Sequence, residues 1–150
     1  METLDLLIVT VHVLAVVVWI GALAAIGLVA TGEGDVRVRG ILARRIYLKA
    51  AVPGFGVAFA FGLIRLIRGW NTAYMNPVGQ MMVGYSKSPW MHSKLTLALV
   101  IIALHHVIGA RTRKMANDGA PLGPLPMLTW IVLACAAGAV FFVVVRPFRG

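Results

Sequence analysis

The sequence predicts an all-α polytopic membrane protein, a four-transmembrane-helix bundle forming a single domain over residues 1–150. Three observations predict it. Hydrophobic residues make up 60% of the chain and charged residues only 13%, too little polar surface for a soluble domain of this length. The apolar residues gather into four long runs, each near the roughly 20 residues that cross a bilayer. The basic residues lie between those runs, where they fix orientation.

The first span is expected over about residues 4–30, since Leu6 to Ala30 carries no formal charge. Its acidic start, Met1-Glu2-Thr3-Leu4-Asp5, lacks the basic flank of a signal peptide, so the run reads as a span. The turn-rich break Thr31-Gly32-Glu33-Gly34-Asp35 ends it. The basic stretch that follows mixes Arg37, Arg39, Arg44 and Arg45 with Val36, Val38, Ile41 and Leu42, which suggests a short interfacial lead-in. The second span is expected over 46–67, with Lys49 and Arg65 reaching the two interfaces. Within it Gly54, Ala58 and Gly62 recur every four residues and form a small-residue face for close helix packing. The long connection to Pro89 carries Trp70, Tyr74 and Tyr85, suited to an interfacial aromatic belt. The third and fourth spans are expected over 90–110 and 127–146, with Pro121, Pro124 and Pro126 delaying the start of the last.

The net charge of +9 would suggest nucleic acid in a soluble protein, but no basic helix or recognition module accompanies it. Anionic lipid is the plainer partner. Arg37, Arg39, Arg44, Arg45 and Lys49 join Arg111, Arg113 and Lys114 on one side of the bilayer. Arg65, Arg68, Lys87, Arg146 and Arg149 lie on the other. The positive-inside rule then puts both termini outside a bacterial inner membrane. Cys135 stands alone in an apolar run, so no disulfide framework is expected.

Function is sought in the ionisable residues kept within the spans, because each costs several kcal/mol in hydrocarbon. These are His12, His92, Lys94, His105 and His106. The first and third spans run in the same direction, so depths compare at about 1.5 Å per residue. His12 and Lys94 fall at the same level on the outer side, and His105 falls on the inner half. Helical periodicity aligns Lys94, Ala98, Ile101 and His105 in one stripe, and His12, Ala15, Val16 and Trp19 in another. Two such stripes facing each other make a slot for a flat, partly anionic macrocycle. Imidazole is a common haem ligand and an ammonium pairs with a propionate, although a proton or metal site has the same claim on these residues.

At these residues the chain resembles the HemJ-type protoporphyrinogen oxidases, small four-helix membrane proteins within the CopD-like group. The resemblance is carried by His12 with Trp19 and Gly21, by Arg44-Arg45-Ile46-Tyr47 with Pro53 and Phe61-Gly62-Leu63, and by Trp90-Met91-His92-Ser93-Lys94-Leu95. His105-His106, Gly109-Ala110-Arg111 and the closing Val143-Val144-Val145-Arg146-Pro147-Phe148 continue it. The resemblance implies haem b and oxidation of protoporphyrinogen IX, with electrons passing to the quinone pool. It implies His12 as a haem ligand, Lys94 as essential, and His105 or His106 as the second histidine of the site. On that reading Lys94 and His105 are the catalytic candidates, His12 and His105 the metal ligands, and Trp19 and His106 neighbours of the cofactor.

The sequence departs from the family where an Asn-Glu pair is usual before the fourth helix and Leu122-Gly123-Pro124-Leu125-Pro126 stands instead. That departure supports a second expectation, a non-catalytic haem-binding or structural subunit of a larger membrane complex, whereas the enzyme would act alone or as a homo-oligomer. A third expectation is copper handling through Met75, Met81, Met82, Met91 and His92, since thioether and imidazole suit Cu(I).

Overall fold

The computed structural model describes residues 3–74 and 89–145, with side chains over 3–67 and 92–145, and every regular element among them is helical. In chain order these are α1 (Thr3–Thr31), α2 (Val36–Ile46), a π-helical turn (Tyr47–Ala51), α3 (Val52–Tyr74), α4 (Pro89–Asp118) and α5 (Leu125–Val144). Four segments are long and apolar enough to cross a membrane: Thr3–Thr31, Val36–Ile67, His92–Asp118 and Leu125–Val144.

The turn between α1 and α2 shows why the first span stops where it does. Thr31 Oγ1 donates back to Gly27 O and Leu28 O at 3.1 Å each, a side-chain closure of the last turn. Arg39 Nη1 reaches back to Ala30 O and Gly32 O at 2.6 Å, a cation at the negative end of the α1 dipole. Gly34 turns the chain at φ 104°, a conformation that disfavours a side chain. Asp35 then caps α2, its Oδ1 accepting from Val38 N at 3.0 Å.

The expected interfacial lead-in is instead part of the bundle. α2 packs against α1 and α4, and the wide turn joins it to α3 without a break. Gly40 lets α2 close onto α4, since a Cβ there would stand 2.6 Å from the Met115 carbonyl carbon. The π turn has a local cause in Pro53, which has no amide to donate to the carbonyl four residues back. The Val52 N–H bonds Tyr47 O, five residues back, and the extra residue re-aims the helix. Before the turn the second span packs on α4; after it, on α1.

α1 also packs on α5, and α5 on α4, so the helices follow one another around the bundle with α1 and α4 across its diagonal. The interior is filled by Leu23, Ile26, Ile108, Leu125 and Val132, all fully buried. Val17, Val18, Leu28, Val140 and Val144 point outward, as apolar side chains do where lipid is the solvent. α4 extends to Asp118, eight residues past its expected end, because α2 runs alongside and covers it.

Candidate functional site

The two expected stripes both face into the bundle. On α1, Ala15 and Trp19 are buried and His12 and Val16 half-buried; on α4, Ile101 and His105 are buried and Lys94 and Ala98 half-buried. Their neighbours Val13, Leu14, Leu95 and Leu99 are exposed. Between the stripes lies α3, and the polar groups sort into two levels along it.

At the outer level His12 is seated on the small-residue face of α3. Gly62 makes the seat possible, because a Cβ there would stand 2.8 Å from His12 Cε1. His12 Nδ1 lies 2.8 Å from Ala58 O. A carbonyl only accepts, so Nδ1 carries the proton and donates. The other nitrogen, Nε2, therefore keeps its lone pair. Metal-bound histidines commonly have this arrangement, the second N–H given to a backbone carbonyl that fixes tautomer and ring orientation. Lys94 lies within electrostatic reach of His12.

At the inner level His105 is pinned from both sides. The Trp19 indole donates to its Nδ1 at 3.1 Å, and an indole N–H can do nothing else. Nδ1 is thus an acceptor, and neutral His105 carries its proton on Nε2, which donates to Tyr47 Oη at 3.1 Å. Tyr47 stacks on the imidazole with centroids 4.9 Å apart, and Phe55 closes a further side at 4.8 Å. Beneath them the Arg44 guanidinium lies 5.2 Å from the centre of the Tyr47 ring and donates to Gly109 O at 3.1 Å. Gly109 leaves room for the phenol, since a Cβ there would collide with the Tyr47 ring.

Thus the structure brings Trp19 to His105, His105 to His106 and Lys94 to His12, but it does not bring His12 to His105. Trp19, which bonds His105, lies seven residues from His12 on α1, about 10 Å along its axis. His106 is exposed on α4 with its ring against His105 and Phe55, and His92 is exposed near the start of the same helix. Met75, Met81 and Met82 of the copper expectation lie outside the described residues, as does the side chain of Met91.

Sequence reasoning named Tyr47 only within a motif and Ala58 only as a packing residue, and gave neither them nor Phe55 a place in the site. Tyr47 and Phe55 had a signal in Pro53, which perturbs the helix on either side of itself; a backbone carbonyl carries none.

Among the described residues no group of three or more His, Cys, Asp or Glu side chains could hold a metal ion. A bare ion draws its ligands from several such side chains. A haem brings ring nitrogens of its own and asks fewer ligands of the protein, and a neutral imidazole with an open Nε2, as on His12, has the chemistry of such a ligand. No protein-family model, curated protein or solved structure matches the chain.

Proposed function

We propose that the chain is a haem b-bearing oxidoreductase of the bacterial inner membrane, acting on protoporphyrinogen IX in the manner of the HemJ-type enzymes and passing electrons to quinone. The observation that carries this reading is the His12 tautomer: its Nδ1–H is spent on Ala58 O, leaving Nε2 to face a ligand. Haem, when bound, would supply one-electron redox chemistry.

The chain's own residues do the rest. His12 would ligate the haem iron through Nε2, and Gly62 leaves room for its ring. Lys94 offers an ammonium at the same level, where it attracts the carboxylates of a tetrapyrrole. A tetrapyrrole beside His12 would meet the small side chains of Ala15 and Ala98, with Trp19 and Phe55, their ring centroids 5.1 Å apart, on its inner side. His105, fixed by Trp19 and Tyr47, holds α1, the second span and α4 in register around that space. The basic ends of α2 and α4 lie on the cytoplasmic side, and both termini lie outside.

The test is an absorption spectrum of the purified protein beside His12→Ala. The expected result is a Soret band in the wild type that the substitution removes or reduces at least tenfold, with helical content unchanged. A wild-type protein without the band, purified from haem-replete cells, overturns the reading. The stretch Leu122 to Pro126, without a carboxylate, favours a second reading as a haem-bearing accessory subunit. Under that reading the band persists, and the chain co-purifies with other membrane proteins and lacks oxidase activity alone.

A further inference from the structure

His106 stands apart from the other site residues. It is exposed on α4, and no hydrogen bond to its ring occurs among the described residues. Its neighbour His105 is bonded to Trp19, one residue from the middle of the first apolar run, so His106 also lies deep in the hydrocarbon. Lysine and arginine reach headgroups from such depths on long stems; an imidazole on one methylene does not. A lipid-facing polar ring without a hydrogen bond is costly, and intramembrane ionisable residues mark pathways and sites.

The surroundings say what kind of partner fits. The second and third spans pack together through α2 and α4, while α3 leans on α1, and among the described residues no comparable packing joins α3 to α4. The two spans therefore part on the outer side of Tyr47. Phe55 stands where they part, its ring edge-on to His106 with centroids 6.0 Å apart at 82°. Phe59, exposed one turn further on, lies 5.8 Å from Phe55. A ligand here must dissolve in hydrocarbon, offer an acceptor to an imidazole N–H, and be flat enough to lie along two phenyl rings.

We propose that the notch between α3 and α4, rimmed by His106, Phe55 and Phe59, is a lateral binding site for the ring of a membrane-dissolved quinone, with His106 donating to one of its carbonyl oxygens. The purpose of the site rests on the redox reading above. Its occupancy does not, because binding requires no haem.

The experiment is photolabelling of the full chain in lipid nanodiscs with an azido-benzoquinone, mapped by mass spectrometry and competed with a decyl-benzoquinone. Competable label is expected on residues 52–67 and 99–107. His106→Ala should weaken competition about tenfold, the loss of one hydrogen bond, whereas His106→Gln, which keeps an N–H donor, should stay within about threefold. Both variants should melt as the wild type does, since the side chain is exposed. Label outside those segments, or equal competition in His106→Ala, overturns the proposal. So does a chain dimer that His106→Ala dissolves, because a second copy then takes the place given to quinone. Labelling of His12→Ala separates the two readings: competable label retained there supports the notch whatever the Soret band shows, and label lost from a protein that keeps its band counts against the notch alone.

Discussion

Two histidines in one bundle are held in opposite tautomers, and the difference lies in what each ring is given to bond. Ala58 O can only accept, so His12 presents a lone pair on Nε2. The Trp19 indole can only donate, so His105 spends its lone pair inward and gives its proton to Tyr47. The first arrangement leaves a group for a ligand; the second ties three helices together. Gly62 is the residue on which the first depends. Gly62→Ala is expected to push the His12 ring off its seat and, under the proposed haem reading, to lower haem content per protein several-fold, while circular dichroism shows the helices intact. Haem content equal to wild type would show that the ring accommodates a methyl group and that the seat is not needed.

At the scale of elements, the small residues of the second span do different work on either side of the π turn. Gly40 and Ala43 bring α2 onto α4, and Gly54, Ala58 and Gly62 bring α3 onto α1. Close approach of this kind is what holds helices together where lipid removes the hydrophobic drive for association. Gly109 plays the same part on α4 by admitting Tyr47. Gly109→Ala is therefore expected to destabilise by about 1–3 kcal/mol through overpacking, read as a lower thermal midpoint in detergent. Gly56 faces open space, so Gly56→Ala should leave the midpoint level or raise it by the helix preference of alanine, about 1 kcal/mol. The four-residue spacing on α3 was legible in the sequence because it is a property of one helix. The role of α2 was not, because its arginines look interfacial until α4 is seen beside it.

On the scale of the whole molecule, four spans place the start of α1 and the end of α5 on one face of the membrane and the α1–α2 and α4–α5 turns on the other. Glu33 and Asp118 mark those turns, and the basic residues of α2 and α4 surround them. With Cys135 replaced by alanine, cysteines introduced at Glu33 and Asn117 should react only with a reagent that enters the cytoplasm. One at Thr3 should react with an impermeant reagent from outside. The reverse pattern would invert the proposed orientation and place the His12–Lys94 level on the cytoplasmic side.

The sequence by itself determined the number of spans and the two inward stripes. Each of these follows from a period or a rise within a single helix, and the bilayer enforces long apolar helices one at a time. Tertiary structure alone decided which nitrogen of which histidine is left to act. The groups that decide it, the Ala58 carbonyl and the Trp19 indole, lie 46 and 86 residues away along the chain from the rings they bond. No local pattern records a hydrogen bond made between helices. The π turn that aims the second span at α4 and then at α1 settles which of those bonds form.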